Sequence, residues 1–156
     1  MPPTGPHVAI AVICERVLKE EGGVLSIIRV VDRLTQTASG PDPPQQMPAF
    51  IIGDVQMVLS LKPDRSRGRF SIKIVVEDPM GVRMPAGERD INLQGRNLGI
   101  NLIMPLNVAV QHEGVYWFDV LLGGPKLQED ELLTRVPLEV LYQRQPSPGS
   151  RTEAQP

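Results

Sequence analysis

Two runs of alternating apolar and polar residues, 114–122 and 132–142, constrain the fold more than any other part of the chain. Every second residue is apolar from Tyr116 to Leu122 in the first run and from Val136 to Tyr142 in the second, which is the spacing of side chains on one face of a β-strand. Gly123-Gly124-Pro125 follows the first run and favours a turn. The two runs therefore predict a β-hairpin. Its predicted inward residues are Tyr116, Phe118, Val120, Leu122, Val136, Leu138, Val140 and Tyr142.

Similar short runs fill the rest of the chain, and 16 prolines and 14 glycines separate them. With the hairpin they make seven or eight predicted strands and no long helical pattern. Many short strands joined by turns are typical of an antiparallel β-sandwich. We therefore predict an all-β fold with immunoglobulin-like or similar Greek-key topology. The remaining predicted strands cover residues 8–18, 24–37, 49–62, 69–77, 90–93 and 100–110.

The pairing of these strands can also be predicted in part. The segment 8–18 begins with consecutive apolar residues, which indicates a strand buried on both sides, and a central one. A helix is the alternative, since Ile10, Ile13, Cys14 and Val17 share one helical face, but the many β-branched residues favour a strand. With 24–37 they form a predicted hairpin, and 49–62 with 69–77 form another. Pro105 and Pro137 each lack a backbone donor, which indicates an edge or a bulge at both positions.

The domain organisation follows from composition. A chain of 156 residues suits one domain, predicted here over residues 7–143. Residues 1–6 are rich in proline and are predicted to be flexible, and residues 144–156 to be a disordered tail. The single cysteine, Cys14, excludes an internal disulfide and suits a reducing compartment. No segment near the start reads as a signal peptide, so a cytoplasmic location is expected.

Two resemblances add to this interpretation. A tyrosine that follows a glycine, as in Gly114-Val115-Tyr116, resembles the closing hairpin of immunoglobulin-like sandwiches, although their cysteine pair is absent. Over most of its length the chain resembles a family of small uncharacterised bacterial β-sandwich proteins. This resemblance implies a bacterial cytosolic origin and no known catalytic residue. It is carried by Cys14-Glu15, Gly22-Gly23, residues 25–33 and residues 116–120.

Catalytic and metal-binding patterns are absent from the sequence. Cys14, His7 and His112 are far apart and too few for a zinc site. Cys14 lies in an apolar run and is interpreted as a buried structural thiol. The acidic pair Glu77-Asp78 and the acidic run 129–131 suit solvated turns, with Ca²⁺ binding as the sharper alternative. No enzyme, cofactor or metal is expected.

One predicted outward row is more apolar than a solvated sheet face requires. If Tyr116 points inward, then Val115, Trp117, Asp119 and Leu121 point outward. Either the proline-rich loop 37–48 covers this row, or the row is a contact surface. The leading hypothesis is therefore a non-enzymatic protein-interaction or assembly module. It would bind a protein partner or self-associate through this row or through an exposed sheet edge.

A second hypothesis rests on a basic turn. Lys62, Arg65, Arg67 and Arg69 form a predicted anion-binding tip. The alternative function is accordingly a ligand- or membrane-docking sandwich, similar to a C2 domain, that uses this tip or the acidic turns. No aromatic residue interleaves these cations, so single-stranded nucleic acid is not expected as a partner. The net charge of −2 likewise does not favour nucleic acid or an anionic membrane.

Overall fold

A computed structural model describes residues 5–95, 98–125 and 127–146 of the chain. These residues form eleven strands and one 3₁₀ turn, Glu21–Gly23. The prediction of an all-β fold is confirmed, with eleven described strands in place of the seven or eight predicted. The strands are β1 (His7–Lys19), β2 (Leu25–Val30), β3 (Arg33–Gly40), β4 (Phe50–Ile52), β5 (Gln56–Lys62), β6 (Arg67–Glu77), β7 (Arg83–Gln94), β8 (Ile100–Pro105), β9 (Val108–Val110), β10 (Gly114–Gly123) and β11 (Glu131–Pro146).

The strands build two large sheets and a small one. One sheet has four strands in the order β2-β1-β5-β8, and the other has five in the order β3-β11-β10-β6-β7. Strands β4 and β9 form a separate pair. Neighbouring strands are antiparallel except β3 and β11, which run parallel. The predicted antiparallel pairing is therefore correct for every described pair but this one.

A single hydrophobic core lies between the two large sheets. The alternation in the hairpin is confirmed, since Tyr116 and Phe118 are completely buried and Leu138 and Val140 lie beside them. Truncation of a buried aromatic side chain of this size to alanine lowers the free energy of unfolding by about 3–5 kcal/mol. Other strands contribute alternate residues to the same core: Met57, Leu59, Leu61, Ile72, Ile74, Val76, Leu102 and Met104.

The predicted strand 24–37 is wrong as one element. It divides into β2 and β3, which lie in different sheets. At the division Val31 N–H donates to Ile13 O at 2.7 Å, and Asp32 O accepts from Glu139 N–H at 3.0 Å. Val31 is therefore hydrogen-bonded to the four-stranded sheet and Asp32 to the five-stranded sheet. Val31 and Leu34 both pack against the core although they are three residues apart, so alternation by two is interrupted at the crossing.

The predicted hairpin of 49–62 with 69–77 is also wrong. Its first segment contains β4 and β5, and β5 lies in the four-stranded sheet while β6 lies in the five-stranded sheet. The turn between β5 and β6, closed by Ser66 N–H donating to Pro63 O at 2.8 Å, thus joins the two layers. The predicted strand 100–110 divides in the same way, with β8 ending at Pro105 and β9 pairing with β4.

Both prolines lie where a missing donor is tolerated. Pro105 ends β8, an edge strand. Pro137 pairs with Trp117 on one side, while β3 begins to pair with β11 only at Glu139. The N–H of Glu139 points toward β3, and the nitrogen of Pro137, two residues earlier, points to the same side. Because β3 does not extend as far as Pro137, no strand is present there to receive a hydrogen bond.

Two other predictions differ from the structure. Strand β1 is central, but only Ile13 and Cys14 are buried in it, and Ile10 is 42% exposed. Ile13 faces the core and Cys14 faces the outer side, so burial on both sides holds only at these two residues and the expected two-sided burial of the whole run is wrong. Strand β11 runs to Pro146, three residues into the predicted tail, because Arg144 pairs with Ala38 of β3. Residues 1–4 and 147–156 lie outside the described residues.

Candidate interaction surfaces

The outer face of the five-stranded sheet carries the predicted row Val115, Trp117, Asp119 and Leu121, called here the Trp117 face. These residues alternate with the core residues of β10 and point away from the core. Trp117 is 37% exposed and Val115 is exposed to a similar degree, while Leu121 is half-buried. Asp119 is buried despite its outward position.

Two arginines bury Asp119. Nε of Arg135 donates to Oδ1 of Asp119 at 2.6 Å, and Nη1 of Arg83 donates to Oδ2 at 2.9 Å. Glu77 accepts from Nη2 of Arg135 at 2.9 Å, and its carboxylate lies 3.7 Å from Nη1 of Arg83. Two carboxylates and two guanidinium groups therefore form a neutral network, called here the Asp119 network.

Strand register creates the Asp119 network. Asp119 of β10 lies directly opposite Arg135 of β11, and Glu77 of β6 lies opposite Arg83 of β7. The Arg135 guanidinium also stacks over the Trp117 ring, 4.8 Å from its centroid. The hydrogen bond to Asp119 raises the pKa of Arg135 above its usual range, so the guanidinium stays charged.

Loop 37–48 does not supply the cover considered for Trp117. Its first four residues belong to β3. Farther on, Pro44 O accepts a 2.6 Å hydrogen bond from the Tyr142 hydroxyl, and Pro43 O accepts one of 2.8 Å from Arg144. These bonds attach the loop to the end of β11, whereas Trp117 pairs with Pro137 nearer the start of that strand.

The basic tip is not one patch. Lys62 belongs to the outward row of β5 in the four-stranded sheet, whereas Arg67 and Arg69 belong to the outward row of β6 in the five-stranded sheet. Arg65 lies in the turn between them. None of these four cations forms an ion pair with a residue that the structure describes.

An open groove lies beside Arg69. Its volume is about 470 Å³, and Ser71, Asn92 and Asp90 contribute polar side chains to it. The turn after β10 forms another wall, where a Cβ on Gly124 would lie 3.2 Å from Arg69 O. Small-molecule sites have volumes of this order, although they are usually more enclosed.

The acidic turns are engaged within the chain. Asp78 accepts backbone hydrogen bonds from Met80 and Val82 at 2.9 and 2.8 Å. Asp130 pairs with Lys73 at 3.1 Å. Within the described ranges no three His, Cys, Asp or Glu side chains lie close enough to hold a metal ion.

The other chemistry-bearing residues are also separate. His7 lies 3.3 Å from Asp64 at an exposed edge, and His112 contributes backbone groups to a bond with Tyr116. Cys14 is buried as predicted, and this burial raises the pKa of its thiol. A neutral, buried thiol is a poor nucleophile.

The outer face of the four-stranded sheet was missed by sequence reasoning. Ile10, Leu18, Ile28 and Val30 are all exposed on strands β1 and β2. The signal lay in the run 8–14, whose consecutive apolar residues predict burial on both sides. The five-stranded sheet packs on one side only, and these four apolar side chains remain exposed on the other.

Comparison with known proteins places the chain in a family. No curated protein matches it. In the part of the chain that the structure describes, no helix has the length and apolar character needed to cross a membrane. The family of unknown function DUF6941 matches residues 9–141, which is most of the chain. The resemblance noted in the sequence to an uncharacterised family is to that extent confirmed, and the chain belongs to the family of unknown function DUF6941.

Proposed function

We propose that this protein is a non-enzymatic β-sandwich that binds a protein partner, or a second copy of itself, through the Trp117 face. The observation that carries this proposal is an exposed tryptophan beside an exposed valine in the outward row of a central strand. Tryptophan and arginine are the residue types most enriched at binding hot spots. Trp117 and Arg135 lie against each other here.

The Asp119 network supports the same proposal. Its two carboxylates fix Arg135, and Arg135 lies over the Trp117 ring. A partner would therefore meet side chains that are already ordered, which lowers the entropy cost of binding. The network carries no net charge, so it does not oppose the approach of a second copy.

Size-exclusion chromatography with light scattering tests this proposal on wild type and Trp117→Ala. The expected result is an assembly for wild type and a smaller species for the variant. Leu98→Ala is the control, because Leu98 is an exposed apolar residue outside the Trp117 face. If no assembly forms, hydroxyl-radical footprinting with the native partner must show protection of Trp117. A monomer without such protection would refute the proposal.

We propose as a second candidate that the groove beside Arg69 binds a small ligand with an anionic group. The observation that favours it is that Arg69, which lines the groove, has no ion-pair partner among the described residues. An NMR titration with inorganic phosphate tests it, with shifts expected at Ser71 and Asn92 and loss of these shifts in Arg69→Ala. Arg65→Ala is the matched control, and shifts that survive Arg69→Ala would contradict this candidate.

We further propose an immunoglobulin-like topology and a bacterial cytoplasmic setting. The topology is supported by β10 lying between β6 and β11, and by the Tyr116 hydroxyl donating to His112 O at 2.7 Å, as in a tyrosine corner. The setting is supported by the resemblance described above and by a lone, buried Cys14. Expression in a bacterial host followed by fractionation tests the location, and export of the chain would contradict it.

A further inference from the structure

The outer face of the four-stranded sheet carries more apolar than polar side chains and is called here the Ile10 face. Strand register places sixteen side chains on it, from all four strands. Its apolar members are Ile10, Val12, Cys14, Leu18, Ile28, Val30, Val58, Ile103 and Pro105. Its other members are His7, Arg16, Ser26, Gln56, Ser60, Lys62 and Asn101.

Burial varies systematically across the Ile10 face. Val58 is 1% exposed and Cys14 is completely buried, yet neither belongs to the core cluster between the sheets. Around them Ile10 and Val30 remain exposed. The centre of the face therefore already excludes water, and its surroundings are apolar and open, which is typical of an interaction surface.

The charges on the Ile10 face have one sign. Arg16 and Lys62 are its cations, and no acidic side chain lies on it among the described residues. Two carboxylates lie at its edges: Asp64 contacts His7, beside Lys62, and Glu20 accepts a 2.8 Å hydrogen bond from the Ser26 hydroxyl. Cys14 of β1 pairs with Gln56 of β5, and Arg16 lies two residues beyond Cys14. Lys62, the last residue of β5, lies six residues from Gln56 in the opposite direction. This places the two cations about eight residues apart along the sheet, or roughly 27 Å.

We propose that the Ile10 face docks an amphipathic helix of a partner protein, with its apolar stripe on the sheet and acidic residues toward both ends. A helix about 18 residues long covers 27 Å, and its diameter of roughly 10 Å lies within a sheet of four strands. Helices packed on a sheet face are a standard way to bury one. Acidic side chains near the helix ends would lie opposite Arg16 and Lys62.

Charge and composition argue against two other occupants. A second copy of the Ile10 face would bring two further cations and no carboxylate to the interface, so it would lack charge complementarity. A membrane surface favours tryptophan and tyrosine at the interface, and the Ile10 face has neither. Two cations would add only about 1 kcal/mol each to binding of anionic lipid.

The Ile10 face and the Trp117 face lie on opposite sheets. Docking at the Ile10 face rests on the proposed function only in that the protein is a binding module. The two proposals fail separately. Trp117→Ala tests the five-stranded sheet, and variants of Ile10 and Val30 test the four-stranded one. Loss of either surface leaves the other available.

The test uses a synthetic helical peptide of 18 residues with leucine along one side and glutamate near both ends. Its twin has lysine in place of every glutamate. Methyl NMR of the full chain follows Val12 and Val58, and calorimetry gives both Kd values. We expect saturable binding of the glutamate peptide, methyl shifts at Val12 and Val58, and binding at least tenfold weaker for the twin. Absence of binding by both peptides, or equal binding of the two, would overturn the proposal.

Variants separate the Ile10 face from non-specific adhesion. Ile10→Glu should weaken binding of the glutamate peptide at least tenfold, and Val30→Glu, at a more exposed position, repeats the test if Ile10→Glu does not fold. Arg16→Glu combined with Lys62→Glu should reverse the preference in favour of the lysine twin. Trp117→Ala should leave both Kd values unchanged. Binding that survives both glutamate variants, or a preference that does not reverse, would contradict docking at this face.

Discussion

The carboxylate of Asp119 lies 2.6 Å from Nε of Arg135, directly across the hairpin of β10 and β11. The side chain of Asp119 is only 6% exposed although it points away from the core. Arg83 closes its other side. An acidic residue is therefore buried on the outer surface of the sheet by its neighbours. This arrangement fixes Arg135 over Trp117 and makes the Trp117 face a rigid surface.

Asp119→Asn should destabilise the protein more than loss of an ordinary surface ion pair. The change removes the charge that both arginines contact but keeps the shape of the side chain. Hydrogen bonds to charged groups contribute roughly 1.5–3 kcal/mol, so we expect a loss of about 2 kcal/mol in the free energy of unfolding. Chemical denaturation measures it.

Glu139→Gln is the matched control for Asp119→Asn. Glu139 pairs with Arg33 at 3.5 Å, and both side chains are exposed. Its loss should stay within about 1 kcal/mol. Equal destabilisation by the two variants would show that the Asp119 network adds nothing beyond a surface pair.

Tyr116→Phe should be clearly destabilising because the Tyr116 hydroxyl is buried and bonded twice. It donates to His112 O at 2.7 Å and accepts from His112 N–H at 3.3 Å. Without the hydroxyl these backbone groups lose their partner, at a cost of about 1–3 kcal/mol. Tyr142→Phe removes a single exposed bond to Pro44 and should cost less. Thermal unfolding of the two variants compares them, and a lower Tm for Tyr142→Phe would contradict the expected order.

Gly114→Ala should destabilise the start of β10. Gly114 has a φ of +134°, and an added Cβ would lie 2.8 Å from Cγ of Pro79. Strain of this kind costs on the order of 1–3 kcal/mol. Gly53→Ala is the control, because no atom lies within 4 Å of a Cβ there and its φ is not positive. Denaturant midpoints measure both, and equal midpoints would mean that Pro79 moves aside without cost.

Stability should fall as the solution becomes alkaline, and Cys14 should account for part of the fall. Burial raises the pKa of the Cys14 thiol above its usual 9.0, so the folded state holds this proton more tightly than the unfolded state. The contribution of the neutral thiol to the free energy of unfolding is therefore fully present below about pH 9, and it is lost as the pH rises through the higher pKa of the folded state. Burial likewise raises the pKa of Tyr116 above 10.0.

The free energy of unfolding at about pH 8 and about pH 10 tests this linkage in wild type and Cys14→Ala. Each value is compared with the same protein's value at the lower pH, which cancels the cavity left by alanine. The variant should show the smaller decline. An identical decline in both would mean that the thiol has no part in it.

The core could be predicted from the sequence with some accuracy. Alternation alone identified Tyr116, Phe118 and Leu138 as inward residues, because spacing by two fixes which side of a strand a residue occupies. Topology could not be predicted in this way. The chain crosses between sheets at Val31–Asp32 and again after Lys62. Alternation is interrupted at both points, but an interruption does not show whether the next strand stays in the same sheet.

The candidate surfaces were accessible to sequence reasoning only in part. The outward row with Trp117 follows from the same alternation. The partners of Asp119 do not follow from the alternation. The turn before Arg135 is long, so the sequence does not fix which residue of β11 lies opposite Asp119, and Arg83 lies on a strand that was predicted only over residues 90–93. The run 8–14 indicated that β1 needs cover on both sides, but not that the second cover is missing from the described chain.

Hydroxyl-radical footprinting of the protein alone and in clarified lysate of its native host tests most directly whether the outer sheet faces are binding surfaces. We expect lower oxidation of Trp117 in the lysate, with protection of Ile10 as well if its face is occupied. Met80 is exposed in a turn outside both faces and should be oxidised equally in the two samples. Unchanged oxidation of Trp117 and Ile10, or protection of Met80 alone, would contradict this account.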